Sequence, residues 1–490
     1  MNNNRDISFR LCLVLPTLFI FTGCPSQKQI SRDFRQNRQR SYELLVRNRQ
    51  DQKDQGQNDI KSIVITGSVT KENCFELAFK HNKQLQIAKK RLQEAQGQTI
   101  EATSTALPTS TFSGQALARD DIFFESKESY DLQVLIRQPL YLGGLIGTAL
   151  DAAAVFTYQT RQELRQTMQS VRYNVHRLYL AALLAEELLT VSLQSKRDAD
   201  KLLADTRKRL RHGAGTKFEV LRSKVRLISI EAEIIKRQND LQVSKARLLN
   251  ELGISQSSTI ELTQKLSYDP IEISSDQCLL QAMKQRPDLL IGEATVRLAQ
   301  DNLEAEKAGD RPKAYLQGTY ARNYPGFGSF FQGNSWDRTM NAGLVVEWPF
   351  FDGLKTLGKV TKAKALLQQR RINLTKMEQQ AQLEVNEALL NLRNSEEFVK
   401  SQQGNVDTAE ESLRLVRVAY REGAGSSLDV ISAELALAQA RSDYFQSVHG
   451  YLLARLNLTK AMGIIGEQSP PQSPAPEIYP SGMRIPGKAR

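Results

Sequence analysis

The chain carries few residues that could run a reaction. Its four histidines, His81, His176, His212 and His449, stand in no metal-ligand or triad spacing. The string Gly213-Ala214-Gly215-Thr216 is glycine-rich but lacks the lysine context of a phosphate loop. Two carboxylates are better placed. Glu219 follows Thr216 by three residues, and Asp429 follows Ser426 by three. A hydroxyl followed in this way by a carboxylate is a capping box, in which the two side chains satisfy backbone N–H groups at a helix start. The chemistry on view is helix capping, so no enzyme, metal or cofactor is expected.

One thiol has a different prospect. Arg5 and Arg10 precede an apolar run from Leu11 to Phe21, followed by Thr22-Gly23-Cys24. That order is a secretory leader with a small-residue cleavage site. The run is too short to cross a bilayer as a helix. A cysteine directly after the small pair resembles a bacterial lipobox, although Phe21 stands where leucine is usual. Residues 1–23 are therefore read as leader, and Cys24 as the site of an acyl and diacylglycerol anchor. An ordinary leader with an incidental cysteine is the alternative. No apolar helix of spanning length is expected after it. Cys74 and Cys278 hold the same place in two repeats. An oxidising compartment permits a disulfide, and two small buried thiols at equivalent helix starts are the simpler reading.

The net charge of +12, from 66 Lys and Arg against 54 Asp and Glu, raises nucleic-acid binding as a class. Much of the excess falls before residue 62, in Lys28, Arg32, Arg35, Arg38, Arg40, Arg47 and Arg49. Elsewhere the signs interleave, as on solvated helix faces, and no nucleic-acid partner is expected. Residues 24–70 read as an extended arm, with one helix near Arg40 to Val46. Aromatic residues at 7% and hydrophobic ones at 40% are low for a compact core of this size. Long, partly hydrated helices account for that.

The elements that must position the caps are written twice. Cys74 and Cys278, Leu85 and Leu289, Pro108 and Pro312, and Gly114 and Gly318 repeat at an offset of 204. From Pro139 and Pro349 onward the offset is 210, through Gly213 and Gly423 to Gly253 and Gly463. Internal repeats outrank other signals in fixing architecture. Each copy reads as short helix, longer helix, strand, loop, strand, very long helix, tight turn and helix. A joint falls near Asn82, and its counterpart at Arg286 precedes Pro287, which cannot continue a helix. The copies span 71–255 and 275–465, joined by a linker over 256–274 and followed by a tail, 466–490. The strands alternate: Tyr130, Leu132, Val134 and Ile136 oppose Asp131, Gln133 and Arg137, and Ala342, Leu344, Val346 and Trp348 oppose Asn341, Gly343 and Glu347. Strands of about ten residues suit a tilted membrane β-segment. Four strands cannot close a barrel, so they form either a soluble sheet or a barrel pooled from several chains. The long helix covers about 68 residues, or about 100 Å. Its stripe, Val171, Val175, Leu178, Ala182, Ala185 and Leu189, and the matching Ala381, Val385, Ala388, Leu392, Ser395 and Val399, has the heptad spacing of a coiled coil. The returning helix and the helix before the strands together nearly match the long one, giving a wall of constant thickness.

With these features the chain resembles the TolC-type outer-membrane efflux proteins, the outer membrane factor family. The duplicated unit, the prolines beside each strand pair, Tyr420-Arg421-Glu422-Gly423-Ala424-Gly425-Ser426 and the ending Met462-Gly463 carry the resemblance, over about residues 70–465. It implies an α+β membrane protein: a homotrimer whose twelve-stranded β-barrel, four strands per chain, continues into a periplasmic α-helical coiled-coil barrel. It implies an outer-membrane exit duct of a tripartite efflux or type I secretion system, with outer-membrane lipid, a periplasmic adaptor and an inner-membrane pump as partners. The turns Gly213, Gly215, Thr216 and Glu219, and Gly423, Gly425, Ser426 and Asp429, become the periplasmic tips. In some relatives acidic residues past the second turn ring the pore. Asp429 aligns with one such position, and Ser432 stands where a second acid would be. Tyr420 aligns with a tyrosine that helps hold the tip closed, whereas the first copy has Leu210. Three carboxylates at one constriction favour cations and raise one another's pKa. Asp429 is equally the capping residue, and both roles can hold. The second copy is thereby nominated as the gate. A surface-tethered coiled-coil scaffold without transport is the alternative.

Overall fold

The computed structural model describes residues 66–118, 128–271, 274–324 and 336–466. These fall in one unit that begins at Ile63. The leader 1–23, Cys24, the arm as far as residue 65, the loop from Pro325 to Gly328 and the tail beyond residue 466 lie outside the described residues.

Each repeat opens with two short helices meeting at a joint. Helix α1 (Lys71–His81) starts at Thr70, whose hydroxyl accepts from the Asn73 N–H. Asn82 ends it and caps α2 (Lys83–Ser104), accepting from the N–H groups of Gln84 and Leu85. In the second repeat α5 (Ser275–Gln285) yields to α6 (Pro287–Lys307) at Arg286. Pro287 takes the first helical position, where an N–H would be unpaired anyway. Strands β2 (Thr109–Ala118) and β3 (Glu128–Leu142) lead into α3 (Leu145–Arg211) and its returning helix α4 (Lys217–Leu252). Strands β5 (Lys313–Tyr324) and β6 (Asp337–Glu347) lead likewise into α7 (Lys355–Arg421) and α8 (Ser427–Ala461). The two long helices have the same length, 67 residues, about 100 Å.

Near the sheet, α2, α3, α6 and α7 lie side by side in that order; beyond the joints the order is α4, α3, α8, α7. Thus α2 and α4 stack end to end beside α3, and α6 and α8 stack beside α7, as constant wall thickness requires. Val171, Val175, Ala182 and Ala185 are buried in the seam, with Leu178 and Leu189 half-buried. In the second copy Ala381, Val385, Ala388, Leu392 and Val399 are buried. The main core sits where the short helices meet, around Cys74, Leu85, Val175, Tyr179, Leu248, Cys278, Val385, Tyr451 and Leu458. Both thiols are free, and burial, helped by Glu72, pushes that of Cys74 up to about 12, which keeps it unreactive.

The sheet has the order β2-β3-β5-β6, so each repeat gives a hairpin and the hairpins meet at β3 and β5. The end of the extended arm and the linker over 256–274 each carry a short strand. Strand β1 (Thr66–Val69) pairs in parallel with β4 (Thr259–Leu262), and Tyr179 Oη donates to the Val69 carbonyl at 3.4 Å. Four residues against four leave too little periodicity to read as strands. Pro139, expected beside the strand pair, sits inside β3, where the register shifts between Pro139 and Tyr141. That irregularity is what lets a residue without an N–H stand in a ladder. Trp348 falls one residue past β6. Finally, a stretch of α3 is apolar and long enough to cross a membrane by composition alone, because α3 has helices packed on both flanks.

Candidate functional site

The four-stranded sheet has two unlike faces. Register puts Phe112, Gly114 and Ala116 on the same face as Leu132, Val134 and Ile136, Leu316, Gly318 and Tyr320, and Ala342, Leu344 and Val346. Phe112, Met340 and Leu344 on this apolar face are exposed. The opposite face carries Ser113, Gln115, Asp131, Gln133, Arg137, Gln317, Asn341 and Glu347. There Arg137 lies 3.7 Å over the Tyr315 ring and reaches Glu347 at 3.2 Å. Ten residues at about 3.3 Å each, tilted as in a barrel, give about 25 Å, the height of an outer-membrane apolar band. Aromatic rings mark both ends. Tyr130, Tyr324 and Trp336 cluster at one, with centroids 6.1 and 5.6 Å apart, and Trp348, Phe350 and Phe351 stand exposed at the other. Such rings belong at lipid–water interfaces. Among the described residues strand β2 pairs only with β3, and β6 only with β5, so both outer edges are open there.

About 100 Å of helix away lie the two hairpin turns. Gly213 and Gly423 hold φ of 75° and 82°, a conformation that ends a helix and that glycine adopts freely. At Gly215 and Gly425 an added Cβ would stand 3.2 Å from Leu210 N and 3.1 Å from Tyr420 N, so each turn closes tightly on its long helix. Both capping boxes form. The Thr216 N–H donates to Glu219 Oε2 at 2.9 Å, and the Glu219 N–H to Thr216 Oγ1 at 3.2 Å. Asp429 Oδ2 accepts from the Ser426 N–H at 2.9 Å and from its hydroxyl at 2.7 Å, while the Asp429 N–H donates to Ser426 Oγ at 3.2 Å. The Ser426 N–H and hydroxyl hold the Asp429 carboxyl below its usual range. Asp429 therefore acts as the cap, and it remains exposed, as does Ser432 one turn on.

Tyr420 is buried with Leu202 and Val430, whereas its counterpart Leu210 is exposed. The Arg209 guanidinium lies 4.6 Å over the Tyr420 ring and donates to the Tyr420 carbonyl at 2.8 Å. One turn away Arg417 donates to Glu434 at 2.9 Å and meets Asp198 at 3.4 Å. Burial pushes the Glu434 carboxyl up in pKa, with Arg417 opposing. These contacts tie the first repeat's long helix to the second repeat's tip, and the sequence reading missed them. One signal was available: Glu434 stands where the first copy has Lys224.

A sheet of membrane height with one apolar and one polar face, continued by long hairpins, defines a channel wall crossing a cell envelope. The profile of the outer membrane efflux protein family matches the chain twice, over residues 75–253 and 279–464. The chain is similar to the proteases secretion protein PrtF of Dickeya chrysanthemi, 25% identical over 421 residues, 81% of this chain and 88% of the relative. It is also similar to the probable outer membrane lipoprotein SilC of Salmonella typhimurium, 22% identical over 392 residues, 79% and 84% of the two chains. Crystal structures of CusC superpose with a TM-score of 0.69 at 22% identity, over 84% of this chain and 95% of that one. VceC of Vibrio cholerae gives 0.68 at 19%, over 80% and 96%. The chain belongs to the outer membrane efflux protein family. It is an outer-membrane channel for export, and the reading as a scaffold without transport is set aside.

Proposed function

We propose that three copies of this chain form one passive exit duct, with a twelve-stranded barrel in the outer membrane and the helices as a periplasmic tube. One observation carries this: the sheet has a lipid-ready face, a water-ready face and two open edges, and open edges do not persist in lipid. A periplasmic adaptor at the turns Gly213 to Glu219 and Gly423 to Asp429, and an inner-membrane pump behind it, open the duct. Cys24 carries the lipid anchor. Tyr420 keeps the tip shut, and Asp429, with Ser432 beyond it, lines the constriction, where three carboxylates select cations. Relatives named for protease secretion and for cation efflux leave both cargo classes open.

The test is the purified full chain in planar bilayers, with its mass in detergent measured by light scattering. A trimer with small conductance is expected, rising in Tyr420→Leu and losing cation preference in Asp429→Asn. A monomer, or no conductance in the wild type and in Tyr420→Leu alike, would overturn the reading.

A further inference from the structure

At the level of the joints the layer of helices has a covered face and a bare one. On the covered face Tyr179 Oη donates to the Val69 carbonyl of β1 at 3.4 Å, and Tyr451 Oη to the Asp269 carbonyl beyond β4 at 3.0 Å. Two cavities, of about 750 and 480 Å³, open elsewhere and share Arg286, Asp288 and Glu384. Ser170 and Lys460 line the larger one, nine residues from Tyr179 and Tyr451 on their own helices. Nine residues make about two and a half turns, so the cavities lie on the bare face. Strands β1 and β4 would fill a bore they faced, which leaves the bare face to line it.

The smaller cavity runs between α6 and α7 and is of two kinds. Its floor is apolar, made by Ile291, Gly292, Leu374 and Met377. An added Cβ on Gly292 would stand 3.0 Å from Leu374 Cδ1, so a side chain there would close the floor. Its rim holds Arg370 and Lys376, which find no carboxylate among the described residues. They belong to a biased stretch. From Lys355 to Met377, α7 carries Lys355, Lys359, Lys362, Lys364, Arg370, Arg371 and Lys376 and no carboxylate. The matching stretch of α3 balances Asp151 and Glu163 against Arg161 and Arg165. In the first repeat Thr160, Gln166 and Ala88 stand where the second has Arg370, Lys376 and Gly292. Thr160 is buried, and its hydroxyl donates to the Phe156 carbonyl at 3.0 Å. The site therefore belongs to the second repeat alone.

We propose that this cavity binds an organic anion bearing an apolar ring or short chain. The reading rests on the duct proposed above and names a class of solute its wall takes up. Arg370 and Lys376 receive the anionic group, and the floor between α6 and α7 receives the apolar part. The volume suits a small organic molecule. Lys355, Lys359 and Lys362 stand eighteen residues, about five turns, before Asn373, Met377 and Gln380 of the same cavity, and so share its face. Of these lysines only Lys359 is paired among the described residues, with Glu306 at 3.0 Å. A line of positive charge thus runs from the sheet end of α7 to the cavity and raises the local concentration of anions there.

Naphthalenesulfonate is the probe, measured by equilibrium dialysis against the full chain in phosphatidylcholine nanodiscs, with empty nanodiscs subtracted. One saturable site per chain is expected. Arg370→Gln with Lys376→Gln should weaken binding about tenfold, as the loss of two partly exposed charges requires. Lys364→Gln with Arg371→Gln removes the same charge from the opposite face, nine residues from Asn373 and Gln380, and should leave binding unchanged. No saturable binding, or an equal loss in both double variants, overturns the site. Inorganic sulfate that displaces the probe at equal concentration also overturns it, because the apolar floor would then contribute nothing. A wild type that binds the probe but passes no current in a bilayer keeps the site and sinks the duct.

Discussion

The joint at Asn82 and the joint at Arg286 occupy one place in two repeats, and they are built from different chemistry. Asn82 Nδ2 donates to the Glu251 carbonyl at 2.8 Å, and its Oδ1 caps α2. Arg286 Nη1 donates to the Ala461 carbonyl at 3.2 Å, the same point on the second returning helix. It also holds Asp288 at 2.8 Å and Glu384 at 2.7 Å. Glu384 matches Asn174, which only approaches Glu251 Oε1 at 3.5 Å. Two amides that each bind Glu251 in one repeat are thus replaced by an ion pair in the other, with the carbonyl contact retained. What the fold demands is a tie between joint and returning helix. Tying the joint to the long helix through charge belongs to the second repeat alone.

The largest effect should come from Arg286→Ala, which strands two partly buried carboxylates and should cost about 3 kcal/mol of local stability. Hydrogen exchange of α5 and the start of α6 is the measure, since a large membrane channel lacks a single unfolding free energy. A loss no greater than that of Asn82→Ala would erase the distinction between the joints. Rebuilding the first joint in the second, with Arg286→Asn, Asp288→Gln and Glu384→Asn together, should recover most of it. Gly253→Ala follows, at about 2 kcal/mol. Gly253 holds φ of 74°, and an added Cβ would stand 2.5 Å from the His81 carbonyl oxygen. Gly463→Ala should match it, because its Cβ would stand 2.8 Å from Arg286 Cα. Unequal costs would show that the two joints are not packed alike. Asn82→Ala comes next, at about 1 kcal/mol for a lost cap, read from exchange in α1 and α2.

The smallest effect is one of pH. His176 sits edge-on to Phe75, and burial, with Lys71 and Arg455 nearby and Glu72 opposing, lowers its pKa to about 4. The unfolded chain takes up that proton first, so the stability His176 contributes is lost as pH falls from about 6.5 toward 4. The second joint has Asn386 at the matching position. Exchange at the first joint should therefore quicken over that window, exchange at the second should not, and His176→Asn should flatten the first. Equal acid response at both joints would exclude this histidine as the cause.

Much of the molecule was legible because its signals are local. Both capping boxes, the glycine turns, the break before Pro287 and the alternation of the strands are patterns within a few residues. The repeat made them stronger, since each could be read twice. What stayed hidden involves partners far apart in sequence. β1 and β4 are too short to show a period and exist only as a pair. Pro287 announced a break but not that Arg286 would bind Asp288, Glu384 and Ala461. At the candidate gate the sequence offered Tyr420, but not Arg209 beneath it or the Asp198–Arg417–Glu434 link. Matching positions between the repeats expose such pairs where both partners change, as Asn174 and Glu384 do beside Asn82 and Arg286.

The placement of the apolar clusters has a mechanical consequence. The main core forms one band at the level of the joints, and beyond it the hairpins are held by small separate clusters: Ala199 with Ile230 and Ile234, Leu202 with Tyr420 and Val430, and Val406 with Leu413 and Leu437. That is a stiff collar carrying slender cantilevers. A load at the free ends parts one small seam at a time, while the collar yields only as a whole. Bending at the tips is thereby insulated from the wall beside the lipid, and the seal there need not flex when the far end moves.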